Sequence, residues 1–283
     1  MIDDIKLIVL SYLTDEEISE IYLKIKDNKI ILKEYVKRNF VDTTFTDKGL
    51  VNNLILKCSE KVDLLEYPNI RKIKYIYYNN IFSNKVLSKK IDLNILLDKI
   101  RYLDLGYYFN EKITKLPKEL EELVFGFYYN KEIEKNILPS KLKRIKFGYT
   151  YNKEIKKNVL PEELEKIDFG YKFNKVIEEG VLPDNIKEII FSYEFNKKIK
   201  KNVLPKNLKR LKFGFEYNKK IDRGVLPNGL EYLKLSFYYD KRIYKGVLPE
   251  TLKSLKIKSE YEYDITSILP KNLENFYIGN NYI

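Results

Sequence analysis

Short alternating stretches of apolar and polar residues recur along the C-terminal three quarters, roughly, of the chain. Apolar side chains stand at every second position of residues 145–151, 167–173 and 211–217. Alternation of this kind puts the apolar side chains on one face of an extended segment, which is typical of a β-strand. The three stretches also begin at matching positions of a longer repeat. The pattern therefore predicts many short strands at regular intervals.

A Leu-Pro dipeptide marks that longer repeat. Six successive spacings of the dipeptide are 22 residues and the last is 21, and eight of the nine prolines belong to this series. A unit of this size cannot bury its own apolar residues, whereas stacked units share one continuous core. We therefore predict a solenoid, mostly β, with parallel strands and about 22 residues per coil. The dipeptides begin at Leu116, Leu138, Leu160, Leu182, Leu204, Leu226, Leu248 and Leu269.

An asparagine follows nearly every predicted strand, with Asp240 taking its place once. Asn side chains bond neighbouring backbone groups and tolerate turn conformations. In stacked coils these side chains can form a structural ladder that satisfies the amides of adjacent turns. The predicted ladder contains Asn110, Asn130, Asn152, Asn174, Asn196 and Asn218.

The N-terminal part of the chain has a different pattern. Residues 3–13 place apolar side chains on one helical face, and Thr14 with Glu17 forms a capping box before a second apolar series. We predict a helical segment over residues 1–40, a helical linker or cap over 41–66, and the solenoid over 67–283.

The repeat closely resembles the FNIP repeat, a leucine-rich-repeat-like class found in social amoebae and in giant viruses of amoebae. The shared motif is L-P-x-x-L-x-x-[LI]-x-F-G-x-x-[FY]-N-K-x-I, seen here as Phe173-Asn174-Lys175 and Phe195-Asn196-Lys197, without the proline of the family's name. The giant-virus proteins are the closer match. The resemblance implies a leucine-rich-repeat-like solenoid for about three quarters of the chain.

In those viral proteins the repeats commonly follow an F-box, and residues 1–40 resemble one. The resemblance implies a substrate-recruiting adaptor for an SCF-type ubiquitin ligase, with a Skp-type adaptor protein as one partner and an unknown target protein as the other. The usual leading Leu-Pro and the late tryptophan of an F-box are absent. The alternative is a stand-alone repeat scaffold whose N-terminus only caps the solenoid. The adaptor-binding residues would be Ile5, Ile8, Val9, Tyr12 and Leu13.

Catalysis is not expected from the composition. Histidine, the commonest general base and metal ligand, is absent, and no glycine-rich phosphate loop occurs. Cys58 is the single cysteine, so a disulfide framework is excluded and an intracellular, cytoplasmic location is expected (host cytoplasm for a viral protein). We predict a non-catalytic binding protein without cofactor, metal or membrane span.

The net charge of +12 permits a nucleic-acid partner. The same lysine excess arises from A/T-rich codons, which also favour Asn, Ile, Tyr and Phe. The predicted outer strand face carries both signs of charge, whereas a phosphate backbone calls for a uniform basic stripe. Protein recognition is therefore favoured over nucleic-acid binding.

Two sets of surface residues are candidates for binding. One is the outer strand face, where a target would bind, and the other is a lysine that recurs after the ladder asparagine. The recurring lysine would bind an anionic partner, or it would deter strand aggregation at the edge. The face residues are Lys146, Asp168, Ile190, Lys212, Lys234 and Lys256, and the lysine column is Lys131, Lys153, Lys175, Lys197, Lys219 and Lys241.

Overall fold

The chain folds into a single parallel sheet of stacked coils. The computed structural model describes residues 53–57, 70–76, 93, 96–258 and 260–279. In these ranges eleven strands pair in chain order, each parallel to the next. The predicted solenoid is therefore confirmed. The strands are β1 (Asn53–Lys57), β2 (Lys72–Ile76), β3 (Tyr102–Asp104), β4 (Glu122–Val124), β5 (Arg144–Lys146), β6 (Lys166–Asp168), β7 (Glu188–Ile190), β8 (Arg210–Lys212), β9 (Tyr232–Lys234), β10 (Ser254–Ile257) and β11 (Asn275–Ile278), and a 3-10 helix covers Thr266–Ile268.

Each strand is shorter than the apolar alternation that predicted it. In the sixth coil the strand ends at Asp168, although the alternation continues to Phe173. Gly170 has a φ of 71° and turns the chain immediately after the strand. Phe169 and Phe173 are nevertheless buried in the core, whereas Tyr171 is only half-buried. The expectation that all four apolar residues share one strand face was therefore wrong for Tyr171.

The first strand corrects the predicted helical linker over residues 41–66. Residues 53–57 form β1, which pairs with β2 over five residues from Asn53↔Lys72 to Lys57↔Ile76. Pairing with the edge of β2 provides hydrogen-bond partners for the backbone of this segment. Such tertiary pairing outweighs a weak local helical pattern. The sheet therefore begins before residue 67, and the remaining predictions for residues 1–52 and 58–66 lie outside the described residues.

A single apolar core runs through the stack. In the coil of β6 it receives Leu164, Ile167, Phe169, Phe173 and Ile177, all of them at most 5% exposed. The same offsets are filled by Leu, Ile, Phe or Tyr in the neighbouring coils. The buried side chains of each coil pack against those of the coil before it and the coil after it. No coil is therefore an independent folding unit.

One position requires a left-handed backbone in six successive coils. It recurs every 22 residues and is occupied only by Asn or Gly, with φ between 62° and 79°. Gly lacks a Cβ and Asn tolerates this region better than other residues, which explains the choice. The position is held by Asn136, Asn158, Gly180, Asn202, Gly224 and Gly246.

The asparagines that follow the strands form a hydrogen-bonded column. The backbone N–H of Asn174 donates to Oδ1 of Asn152 at 3.0 Å, and the N–H of Asn196 donates to Oδ1 of Asn174 at 3.1 Å. The column runs from Asn110 to Asp240, with N···O distances of 2.9–3.2 Å. Each side chain thereby satisfies an amide that the sheet leaves unpaired. The ladder fixes the register of consecutive turns outside the strands.

Removing one ladder side chain should destabilise the stack locally. Asn174→Ala leaves the half-buried N–H of Asn196 without its acceptor, so we expect a loss of about 1–3 kcal/mol of unfolding free energy. Asn174→Asp keeps an acceptor oxygen and should recover much of that loss. Urea denaturation followed by circular dichroism measures both variants. Equal stability of wild type and the alanine variant would show that the ladder does not contribute.

Candidate protein-binding face

The outward side chains of the sheet form two straight rows. The middle residue of each three-residue strand, β3 to β9, is buried, so the first and third residues face outward. Strand pairing sets these residues in register. We call them the first row and the third row, and together the strand face. The first row is Tyr102, Glu122, Arg144, Lys166, Glu188, Arg210, Tyr232, Ser254 and Asn275, and the third row is Asp104, Val124, Lys146, Asp168, Ile190, Lys212, Lys234, Lys256 and Tyr277.

The six predicted target-binding residues all stand in the third row. Lys146, Asp168 and Ile190 occupy β5, β6 and β7, and the three lysines that follow occupy β8, β9 and β10. Lys146 is exposed and the other five are half-buried. The structure therefore brings these residues together on one continuous surface.

Glu188 is the centre of the charge pattern on this face. Its carboxylate lies 3.0 Å from Nζ of Lys166, 2.8 Å from Nζ of Lys212 and 3.8 Å from Nε of Arg210. Burial alone would raise the pKa of Glu188, but the hydrogen bonds from Lys212 and Lys166 outweigh it, and the pKa is lowered. The carboxylate therefore stays ionised and anchors side chains from both neighbouring strands.

A further row of charged residues, which we call the flanking row, directly precedes the strands in the sequence of each coil. The flanking row holds both signs of charge and consists of Arg101, Glu121, Lys143, Glu165, Lys187, Lys209, Glu231, Lys253 and Glu274. Glu231, for example, lies 2.9 Å from Lys209 and 3.9 Å from Lys253. Equivalent pairs join Arg101 and Lys143 to Glu121, and Lys187 to Glu165. This row is therefore largely neutralised between neighbouring coils.

Asp168 has a role within its own turn. Its Oδ1 accepts the N–H of Gly170 at 2.9 Å, and Asp104 makes the same contact with Gly106. Both glycines have φ above 70°. Burial raises the pKa of Asp168, while the hydrogen bond and nearby lysines act in the opposite direction. The carboxylate thus stabilises the turn that ends the strand.

The face becomes basic towards the C-terminal strands. Arg210, Lys212, Lys234 and Lys256 occupy the two rows of β8 to β10. The guanidinium of Arg210 lies 4.4 Å from the ring centre of Tyr232, and Nζ of Lys256 lies 4.9 Å from that of Tyr277. Burial, followed by the charges of Lys256 and Lys212, lowers the pKa of Lys234.

A surface column of stacked aromatic rings lies just beyond the strands, and the sequence analysis missed it. Neighbouring ring centres are 4.1–4.7 Å apart along seven successive coils. The signal was an aromatic residue at the same offset in every coil, which the alternation had assigned to the buried face. The column consists of Tyr107, Phe127, Tyr149, Tyr171, Tyr193, Phe215 and Phe237.

The recurring lysines stand apart from the strand face. Each directly follows a member of the ladder, so all six share one position of the coil. Lys131, Lys175 and Lys219 are exposed and the others are half-buried. Lys241 forms an ion pair with Asp240 at 2.8 Å, and among the described residues the other five make no ion pair. Their role in binding an anion or deterring aggregation stays a prediction.

The predicted adaptor-binding site lies outside the described residues. The adaptor-binding residues Ile5, Ile8, Val9, Tyr12 and Leu13, and also Cys58, lie outside the described part of the chain. Across the described ranges no group of His, Cys, Asp and Glu is arranged to hold a metal ion. In those same ranges no helix has the length and apolar character needed to cross a membrane.

This geometry defines a class: a parallel β-solenoid of leucine-rich-repeat-like coils with a charged strand face. The family model for the FNIP Repeat matches residues 129–172, 173–216 and 217–260. Each matched segment contains two of the 22-residue coils. These three tandem matches support the resemblance to the FNIP repeat that the sequence shows.

A solved structure shows the same architecture. The crystal structure of CroV588, described as a novel circular LRR protein structure, is 33% identical with a TM-score of 0.71. The match covers 82% of this chain and 34% of CroV588, so the chain spans about a third of that protein. A leucine-rich repeat protein from Bacteroides ovatus also matches, at 12% identity and a TM-score of 0.22. No curated protein matches the chain.

Proposed function

We propose that the protein is a non-catalytic recruiting scaffold that binds a target protein on the strand face. The observation that supports this is a constant buried frame beneath outward residues that differ from coil to coil. Ile167, Ile189 and Leu211 fill the same buried position, while Asp168, Ile190 and Lys212 beside them differ in charge and polarity. Variation over a fixed scaffold suits recognition of a shaped protein surface.

The finer proposal is that residues 1–40 bind a Skp-type adaptor, so that the target is delivered to an SCF-type ubiquitin ligase. It is supported by the helical apolar pattern of that segment and its resemblance to an F-box. In this proposal Ile5, Ile8 and Val9 contact the adaptor directly. The alternative is a stand-alone scaffold, in which the same residues pack against the first coils.

A pull-down with a purified Skp-type adaptor separates the two. We expect the full chain to retain the adaptor, and Ile5→Glu together with Ile8→Glu and Val9→Glu to abolish retention. Under the proposal this variant keeps the thermal midpoint of wild type, because the solenoid is intact. A chain lacking residues 1–40 is the second control. Failure of wild type to retain the adaptor, together with a lowered midpoint of the triple variant, would contradict the adaptor proposal and favour a cap.

A further inference from the structure

Charge is unevenly distributed along the strand face. In β3 to β7 the first and third rows mix four carboxylates with three cations, the latter being Arg144, Lys146 and Lys166. In the described residues of β8 to β11 the same rows hold four cations and no carboxylate. The face therefore has a basic patch, defined as Arg210, Lys212, Lys234 and Lys256, next to a mixed region.

The patch is compact and has a fixed shape. Lys212, Lys234 and Lys256 are paired in register on consecutive strands, so their backbones are spaced by about 4.8 Å. Their stems lie against the sheet, since all three side chains are half-buried. Tyr232 packs beneath the guanidinium of Arg210, which restricts that side chain. These long side chains are thus partly ordered before any ligand binds, which reduces the conformational entropy lost on binding.

The carboxylates that border the patch are each shared by several cations. Glu188 is shared by Lys166, Lys212 and Arg210, so one carboxylate serves three cations at the border of the patch. Glu231 is engaged by Lys209 and Lys253 in the flanking row. Burial, followed by the charges of the two neighbouring lysines, lowers the pKa of Lys234.

The surroundings favour a short acidic protein segment over a nucleic acid. The three lysines cover only about 10 Å from first to last at the strand spacing, which is two or three residues of an extended peptide. A nucleic-acid backbone continues beyond this length and would meet Glu188 and Glu231, which border the patch. Exposed Tyr277, at 50%, offers an apolar contact for a side chain next to the acidic residues.

We propose that the basic patch binds an acidic peptide segment of the target, with carboxylates of the segment pairing with Lys212, Lys234 and Lys256. This proposal rests on the proposed function, because it names the chemistry of the target at one end of the same strand face. The segment would be extended and would contain at least two Asp or Glu residues close together.

Fluorescence anisotropy tests the proposal with the full chain and a labelled eight-residue peptide containing four glutamates. Lys212→Gln, Lys234→Gln and Lys256→Gln together should weaken binding by about tenfold or more. The matched control is Lys135→Gln, Lys157→Gln and Lys201→Gln, which removes the same net charge from exposed lysines outside both candidate binding sets. The control should change affinity by about threefold or less. Binding of the wild type should also weaken as salt rises.

Two kinds of outcome would contradict the proposal. No measurable peptide binding, or equal weakening by both triple variants, would mean that the patch is not a specific site. Tighter binding of an eight-nucleotide oligothymidylate, with the same loss in the patch variant, would assign the patch to nucleic acid. Adaptor retention is measured on the same preparations. A wild-type chain that retains the adaptor but does not bind the peptide rejects the patch and leaves the scaffold role. A wild-type chain that binds the peptide but does not retain the adaptor rejects the adaptor role and leaves the patch.

Discussion

Gly170→Ala is expected to destabilise the protein by about 4 kcal/mol or more, because two costs combine at this position. A Cβ there would lie 2.2 Å from the carbonyl oxygen of Gly148 and 2.6 Å from that of Phe147. Both atoms are backbone of the preceding coil and cannot rotate away. The φ of 71° is also unfavourable for alanine. Relief requires the coil of β6 to move away from the coil of β5, which breaks the strand pairing between them.

Gly229→Ala is the matched control for this prediction. Its Cβ would meet only ordinary contacts at 3.7 Å, and its φ is not positive. We expect a change within about 1 kcal/mol for the control. The midpoint of thermal unfolding, followed by circular dichroism, measures both variants. Serine at the same offset as Gly170 is tolerated at positions 192 and 236, where φ is not positive. Equal midpoints for Gly170→Ala and wild type would contradict the close packing of coils described above.

Phe173→Ala is expected to cost about 3–5 kcal/mol and to divide the solenoid into two cooperative parts. Phe173 is fully buried, and its ring stacks on Phe169 at 4.5 Å. It also lies between the rings of Tyr151 and Phe195, at 6.1 and 6.3 Å. The cavity would lie in a central coil. Because coils contact only their neighbours, a weak central coil uncouples the two ends.

The measurement for Phe173→Ala is urea denaturation monitored together with hydrogen exchange. We expect a broadened or two-step transition, with early exchange in the coils of β6 and β7. Phe173→Tyr is the control, because Tyr151, at the equivalent position of the preceding coil, already has a buried hydroxyl. It should cost about 1–2 kcal/mol and keep a single transition. A single transition for the alanine variant, with unchanged midpoint, would show that the buried aromatic rings do not couple the coils.

The repeat architecture could be predicted from the sequence because it depends on local and periodic features. The 22-residue Leu-Pro spacing, the alternation around Ile167 and the asparagine after each strand all repeat with the same offset. Identical coils have one simple way of sharing a core, which is to stack in register. The positions of the six strand-face residues in one row follow from that register.

The sequence did not predict what depends on the details of each turn or on pairing between coils. Tyr171 continues the alternation, but the strand ends at Asp168 and the turn that follows places Tyr171 in a surface column instead of the core. Glu188 pairs with three cations only because its neighbours are in register 22 residues away on either side. The strand at residues 53–57 depends on an edge supplied by β2, which no local pattern encodes.

The proposed recruiting role requires that one chain hold an adaptor and an acidic target segment at the same time. The most direct measurement immobilises the Skp-type adaptor and records retention of the labelled acidic peptide with and without the protein. We predict retention with wild type, and loss of retention for either the Ile5/Ile8/Val9 variant or the Lys212/Lys234/Lys256 variant. If the wild-type chain, bound to the immobilised adaptor, does not retain the peptide, the recruiting role is contradicted.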